Sequence, residues 1–344
     1  MPTWFEESRL DDERALATAD TLLRRLAESG ARVRREAFDA AEATAEAIAR
    51  SRDGVRPRAV LAAGPDSRLL RAVLEPWCPV PFVAWPGPAL PGWAGSMDLV
   101  VVLAPVGTDT GAASAVAEAV RRGCQVVVAC SPDSLVAQHA AGRWATVLPT
   151  ITGDQLATAV VMLDYLDQVD LGPRTDVAQV AASLDAVATA CSPHRDLAVN
   201  PAKMIAIALA DSTPVVWGGS VLAARAARRV AESIRRASGR RALAGDAEQL
   251  LPILEATPRR DVFDDPFSDD PPDRRPMLLV LDDGAGDPVS REHRDRLQAT
   301  AAERGVRVET ISTDGDATEV ARYASLLLSG TYAAEYLRIG LVTD

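Results

Sequence analysis

The sequence has almost no lysine. Lys203 is the single lysine among 37 basic residues, and the other 36 are arginines. We attribute this bias to codon usage in GC-rich DNA, so a lone arginine does not by itself indicate a functional site. Acidic residues outnumber basic ones and give a formal net charge of −11. This charge disfavours nonspecific binding to nucleic acid and to an anionic membrane surface.

Cysteine, histidine and long apolar runs are also scarce. The four cysteines form no C-x-x-C pair and the three histidines are scattered, so neither a disulfide framework, a metal site nor a Ser-His-Asp triad is indicated. No apolar run reaches the roughly 18 residues typical of a membrane span. The N-terminal residues lack the order of a signal peptide, and we expect a cytoplasmic protein. Neither G-x-G-x-x-G nor a P-loop is present, which disfavours a nucleotide cofactor.

The length of 344 residues fits two domains of about 100–200 residues each. After two predicted helices, the first ending at Gly30, the pattern changes to apolar strands, small-residue turns and helices. Residues 98–104 are almost wholly apolar, as in strands buried on both faces of a parallel sheet. We therefore predict an α/β protein with two doubly wound parallel sheets. The predicted parts are an N-terminal helical segment (1–50), a first domain (51–170) and a second domain (171–344) with an exposed acidic, proline-rich loop at 257–276.

Three turns that follow predicted strands could hold a ligand. In parallel sheets, ligands bind beyond the carboxyl ends of the strands, where helix N-termini present free N–H groups. The candidates are Ser67, Gly107, Thr108 and Thr110 in the first domain and Gly218, Gly219 and Ser220 in the second. Small residues and hydroxyls suit a phosphate, but the same residues are ordinary helix caps and turns. Their spacing alone does not decide between the two interpretations.

Several segments resemble the bifunctional phosphoglucose/phosphomannose isomerases, a family built from two SIS (sugar isomerase) domains. The segments are 87–93, 98–104 and 122–128 for the first SIS domain, 200–203, 214–218 and 225–232 for the second, and 332–337 for the C-terminal helix. The resemblance implies two tandem flavodoxin-like domains and a homodimer. It also implies aldose–ketose isomerisation of hexose 6-phosphates, from glucose or mannose 6-phosphate to fructose 6-phosphate, through an enediol and without a cofactor.

By position, the resemblance makes Glu232 the residue that transfers the proton and Ser67 the serine that closes the first phosphate-binding turn. Other family residues are missing. The family's second turn, Ser-Tyr-Ser-Gly-Asn-Thr, reads Ala-Pro-Val-Gly-Thr-Asp at 104–109. The family's arginine falls near Thr150 and its histidine near Glu248. The aspartate that ends the second turn is expected to repel a phosphate unless its side chain turns away.

Glu232 also has a structural interpretation. On a helix it lies opposite the apolar stripe and has Arg228 and Arg236 four residues away on either side, so an ion-paired surface glutamate also explains it. The missing family residues favour an alternative function, a non-catalytic sugar-phosphate-binding or regulatory protein on the same scaffold. The sequence leaves both functions open.

Overall fold

The computed structural model describes residues 3–52, 56–259 and 275–343. Most of the predicted acidic loop at 257–276 therefore lies outside the described residues. The chain divides into two compact units. The first unit comprises residues 29–183 and 318–321, and the second comprises 1–28, 184–317 and 322–344. The domain limits at residues 50 and 170 stay a prediction.

The N-terminal residues begin with strand β1 (Thr3–Phe5), followed by a 3-10 turn and two short helices, α1 (Glu13–Ala17) and α2 (Asp20–Ala27). The prediction of one continuous helix before Gly30 was wrong, because the chain turns at Thr18 between α1 and α2. Gly30 does not end a helix either. It lies in the first turn of the next helix, where its amide needs no acceptor within the helix.

The first unit contains a five-stranded parallel sheet in the order β3-β2-β4-β5-β6. Its elements are α3 (Ser29–Arg52), β2 (Val60–Ala63), α4 (Ser67–Trp77), β3 (Phe82–Trp85), β4 (Leu99–Ala104), α5 (Thr110–Arg121), β5 (Gln125–Cys130), α6 (Leu135–His139), β6 (Ala145–Pro149) and α7 (Gln155–Gln168). Every residue of β4 is buried, as its continuous apolar run predicted. The strand order is the flavodoxin-like order implied by the resemblance.

The order of the strands reverses at β2 and β4. Helix α4 leads from β2 to β3 on one side, and α5 leads from β4 to β5 on the other. Because such crossovers are right-handed, α4 and α5 cover opposite faces of the sheet. Their two turns therefore diverge and leave a crevice at the carboxyl ends of β2 and β4.

Helix α8 (Val177–Ala190) leads out of the first unit, and the second unit contains a four-stranded parallel sheet in the order β10-β9-β7-β8. Its further elements are α9 (Pro201–Ala210), β7 (Thr213–Gly218), α10 (Val221–Ser238), β8 (Leu243–Ala244), α11 (Ala247–Glu255), β9 (Pro276–Asp282), α12 (Pro288–Arg304), β10 (Arg307–Ser312), α13 (Glu319–Gly340) and β11 (Leu341–Thr343). Strand order reverses at β7 and β9, which creates a second crevice. Within the described ranges, no helix is long and apolar enough to cross a membrane.

Two features of the second unit differ from the sequence-based expectation. Helix α13 includes the segment 332–337 that resembles the family's C-terminal helix but begins earlier, at Glu319, because Gly330 serves packing and does not interrupt it. A Cβ on Gly330 would overlap the side chain of Val230 in α10. In addition, β1 pairs antiparallel with β11, joining residues 3–5 to residues 341–343. Such short segments carry no pairing signal in the sequence.

The only lysine of the chain is fully buried in the second unit. Its Nζ donates hydrogen bonds to Asp11 Oδ1 at 2.6 Å and to the backbone carbonyls of Pro193 and Arg195, each at 2.9 Å. An ammonium group has three donors, so all three of its donors are satisfied. Lys203 thus ties the N-terminal segment to α9 and to the loop that precedes it.

Replacing Lys203 by methionine should destabilise the protein. The variant leaves two carbonyls and the Asp11 carboxylate without their partner, and we expect the free energy of unfolding to fall by about 3 kcal/mol. Asp11→Asn is the matched control, with a smaller loss, because Asp11 is half exposed. Urea unfolding followed by circular dichroism measures both. Equal stability of Lys203→Met and the wild type would contradict the assigned role.

Candidate functional site

The two turns at the first crevice lie against each other. Gly64, in the turn after β2, has a φ of +86°, and a Cβ at this position would lie 3.4 Å from the Cβ of Ala112 in α5. The structure therefore brings the start of α4, with Ser67, beside the turn at 107–110 that begins α5. These predicted candidates belong to one crevice of the first unit.

The start of α5 is occupied by the chain's own carboxylate. Asp109 Oδ1 accepts a hydrogen bond from Ala112 N at 2.6 Å and caps the helix. Thr108 and Thr110 are exposed beside it. Gly107 is buried with a φ of +71°, and a Cβ there would overlap the side chain of Ser134. Asp109 therefore does not turn away from the position where a phosphate would bind α5.

The start of α4 differs, because no side chain caps it. The Asp66 carboxylate, one residue before the helix, accepts a hydrogen bond from Gln155 Nε2 of α7. Ser67 is 1% exposed, and its Oγ has no hydrogen-bond partner within the described part of the chain. Arg68 follows and is exposed. The first turn of α4 thus presents a buried hydroxyl without a partner and an exposed guanidinium, while the amides of Ser67 and Leu69 already donate to the carbonyls of Gly64 and Asp66.

A buried carboxylate holds the loop after β6. Glu36 of α3 is fully buried and accepts hydrogen bonds from Ile151 N at 2.8 Å, from Thr152 N at 2.5 Å and from the Thr152 hydroxyl. Thr150, where the resemblance places the family's arginine, is also fully buried and supplies no cation. The sequence analysis missed Glu36. Its position in the sequence could have indicated that it is buried, since Glu36 lies on the same helical stripe as the buried Val33 and Ala40.

We predict that Glu36→Gln loosens this loop. The amide replaces a charged acceptor by a weaker one, so the amide protons of Ile151 and Thr152 should exchange with solvent about tenfold faster. Hydrogen exchange followed by NMR measures both sites. Glu42→Gln, an exposed change on the same helix, should leave both rates unchanged. Unaltered exchange in Glu36→Gln would show that the carboxylate does not hold the loop.

The second crevice lies at the carboxyl ends of β7 and β9. Ser220 caps α10 by accepting from Ala223 N at 2.9 Å, and its hydroxyl donates to Asp283 Oδ2 at 2.7 Å. A Cβ on Gly218 would overlap the backbone of Ala223, and one on Gly219 would lie 2.8 Å from the Cβ of Ser290. The packing of β7 against α10 and α12 thus explains the two glycines without a ligand.

Glu232 lies on α10 in the second unit, with its side chain 33% exposed. Arg236 Nη2 lies 2.6 Å from Glu232 Oε1, and Arg229 Nη1 lies 3.7 Å from Oε2. The predicted partner Arg236 is confirmed. The predicted partner Arg228 was wrong, because it lies 3.9 Å from Asp246 instead. The carboxylate is therefore flanked by arginines one turn before and one turn after it.

A buried phenol lies beneath this stripe of α10. Burial raises the pKa of Tyr323 to about 12, and the nearby Arg229 and Arg225 lower the pKa in part. Neutral tyrosine thus persists at physiological pH. Among the residues that the structure describes, no group of three or more His, Cys, Asp or Glu side chains could hold a metal ion.

Residues 198–341 match the model of the bacterial phospho-glucose isomerase C-terminal SIS domain. This segment is therefore similar to an SIS domain of that family. The match includes α10 with Glu232, the second crevice and α13, and it confirms the resemblance seen in segments 200–203 and 214–218. None of the curated proteins matches the chain by sequence.

Solved structures are similar over nearly the whole chain. A candidate phosphosugar isomerase from Silicibacter pomeroyi DSS-3 has a TM-score of 0.67 and 16% identity, with 91% of this chain and 95% of that chain covered. Tagatose-6-phosphate ketose/aldose isomerase from Escherichia coli has a TM-score of 0.65 and 13% identity, with 89% of each chain covered. A candidate sugar-binding protein from Salmonella typhimurium LT2 has a TM-score of 0.64 and 14% identity, with 91% and 98% covered.

At these identities the likeness shows the fold. It confirms the predicted α/β architecture with parallel sheets of the SIS type. The roles of the seven turn residues and of Glu232 stay a prediction, since a shared fold does not define a shared site.

Proposed function

We propose that this protein binds a hexose 6-phosphate and interconverts its aldose and ketose forms. The observation that carries the proposal is the match of residues 198–341 to the C-terminal SIS domain of bacterial phospho-glucose isomerase, because that segment contains the half-buried Glu232. The first crevice supports it, since the exposed hydroxyls of Thr108 and Thr110 and the exposed guanidinium of Arg68 can donate hydrogen bonds to a phosphate ester.

In the proposed reaction, Glu232 acts as general base. The carbonyl group of an open-chain sugar acidifies the neighbouring C–H bond, so a carboxylate can remove the proton from C2, and the resulting enediol accepts it at C1. A positioned base contributes about 10²–10⁴-fold to such a step. Arg229 and Arg236 hold the two carboxylate oxygens from opposite directions along α10 and thereby limit the rotamers of the base.

The isomerase proposal predicts that Glu232→Gln lowers the interconversion of glucose, mannose and fructose 6-phosphates by at least about 10²-fold, since the amide cannot accept the proton. A coupled assay or NMR of the sugar mixture measures the rate. Glu303→Gln, which alters an exposed ion pair on α12, is the control and should keep full activity. Activity that survives Glu232→Gln would remove Glu232 from the mechanism.

A second candidate function, binding without catalysis, is favoured by two specific observations. Asp109 occupies the amides at the start of α5, and both oxygens of Glu232 are engaged by arginines. This candidate predicts that fructose 6-phosphate raises the melting temperature while no product forms. At a ligand concentration of 100 times Kd, binding adds about 2.7 kcal/mol to the free energy of unfolding. Thermal shift and turnover measured on one sample separate the two functions.

From the resemblance we also propose a homodimer located in the cytoplasm. Light scattering coupled to size exclusion should give twice the mass of one chain. A mass of one chain at micromolar concentration would contradict the dimer.

A further inference from the structure

Three large apolar side chains are exposed at one edge of the first sheet. Trp93 and Met97 lie in the loop before β4, and Trp144 immediately precedes β6, with exposed fractions of 49%, 64% and 56%. Because all three precede strands of a parallel sheet, they lie at its amino edge, opposite the first crevice. Tryptophan is largely buried on average in folded proteins, and exposed apolar residues that cluster mark interaction sites.

Backbone contacts show that these residues are neighbours along the edge. Met97 O accepts a hydrogen bond from Arg58 N at 2.8 Å, and Trp144 O accepts one from Val126 N at 2.9 Å. Strands β2, β4, β5 and β6 follow one another in the sheet. The backbones of Met97 and Trp144 are therefore about two strand spacings apart, on the order of 10 Å. We call the surface formed by Trp93, Met97, Trp144, Arg58 and Arg143 the amino-edge patch.

The loop that carries Trp93 and Met97 is fixed by charged hydrogen bonds. Asp98 is fully buried and accepts from Gly95 N at 2.9 Å and from Arg58 Nη2 at 2.6 Å. Arg58 Nη2 also donates to Trp93 O at 3.0 Å, and the guanidinium lies 5.8 Å from the centre of the Trp93 ring. A side chain that is ordered before association loses less conformational entropy on binding. The exposed indole is thus pre-organised for contact with a partner.

The charge that this edge presents to solvent is positive. Asp98 is fully buried whereas the side chain of its partner Arg58 is half exposed, so the pair presents its cation. Arg143 lies 4.8 Å from the centre of the neighbouring indole ring and has no carboxylate partner in the part of the chain that the structure describes. At the end of α5, Arg121 is far more exposed than its partner Glu118. A chain with a net charge of −11 thus carries a local cationic and aromatic surface.

We propose that the amino-edge patch binds an acidic polypeptide segment of a partner protein, a segment that also carries apolar side chains. Carboxylates of the partner pair with Arg58 and Arg143, and its apolar side chains cover Trp93, Met97 and Trp144. Tryptophan, methionine and arginine are enriched at protein interfaces, and tryptophan and arginine dominate the binding energy. The proposal does not depend on the proposed isomerase function, because the first crevice lies at the opposite edge of the same sheet.

Charge disfavours two other occupants of the patch. A two-fold symmetric dimer formed through it would bring the same cations of both protomers together, and like charges repel. Nucleic acid binds through many phosphate contacts along its length, and the net charge of −11 opposes that approach. A short acidic segment is affected mainly by the local cations, because salt screens the more distant charges beyond about 10 Å.

Fluorescence anisotropy of the full chain with labelled synthetic peptides tests the proposal. The probe is a short peptide of repeated Asp-Asp-Phe units, and the matched peptides repeat Asn-Asn-Phe and Asp-Asp-Ala. We expect the Asp-Asp-Phe peptide to bind at least about tenfold more tightly than either matched peptide, because the patch recognises both charge and apolar surface. Added salt should weaken this binding.

Surface variants locate the binding on the patch. Trp144→Ser should weaken the Asp-Asp-Phe peptide about tenfold, and Arg143→Gln about fivefold. Phe38→Ser and Arg35→Gln remove an exposed aromatic side chain and an exposed cation of α3 outside the patch. These two controls should stay within about twofold of the wild type. All four residues are exposed, so circular dichroism should show that the variants fold.

Four results would overturn the proposal. The first is a wild type that does not bind the Asp-Asp-Phe peptide at millimolar concentration, or binds the Asn-Asn-Phe peptide equally well. The second is equal peptide binding by Trp144→Ser and Phe38→Ser. The third is tighter binding of a single-stranded oligonucleotide that Trp144→Ser abolishes, which would identify nucleic acid as the occupant. The fourth is a dimeric wild type beside a monomeric Trp144→Ser in light scattering, which would identify a second copy of the chain.

Discussion

The reversal of strand order inside each parallel sheet is the constraint on which the candidate site depends. Right-handed crossovers place α4 and α5 on opposite faces of the first sheet, and the same rule separates α10 from α12 in the second. Neighbouring turns must then diverge at the carboxyl ends of the strands. Each unit consequently has one crevice where helix N-termini and small residues meet. The chemistry of each crevice depends on which side chains cap those helices.

Most of the helix N-termini at the two crevices are capped by side chains of the chain itself. Carboxylates at Asp109 and Asp154 and hydroxyls at Ser134 and Ser220 accept the amide hydrogen bonds that a bound anion would otherwise receive. This leaves few free donors for a phosphate at these turns, and at the start of α4 the amides of Ser67 and Leu69 are likewise bonded within the chain.

Long-range polar contacts then hold the loops around this framework. Glu36 reaches the loop after β6, and Lys203 joins Asp11 to the carbonyls before α9. Each is a charged group with no exposed surface and a full set of partners. Local pattern could not identify their partners, because the partner of Glu36 lies 115 residues away and that of Lys203 lies 192 residues away. The isolated lysine was visible in the sequence, but its function as a structural tie was not.

The sequence by itself determined the α/β class, the strands and the turns that follow them, because apolar runs and small-residue turns are local signals. The apolar run at 98–104 predicted β4 to within one residue of its observed limits, Leu99–Ala104. Only the tertiary structure decided the rest. It joined β1 to β11, made α13 continuous through Gly330, paired Glu232 with Arg229 in place of Arg228, and turned Asp109 onto its own helix. These features depend on distant packing and on side-chain rotamers, which local sequence pattern does not specify.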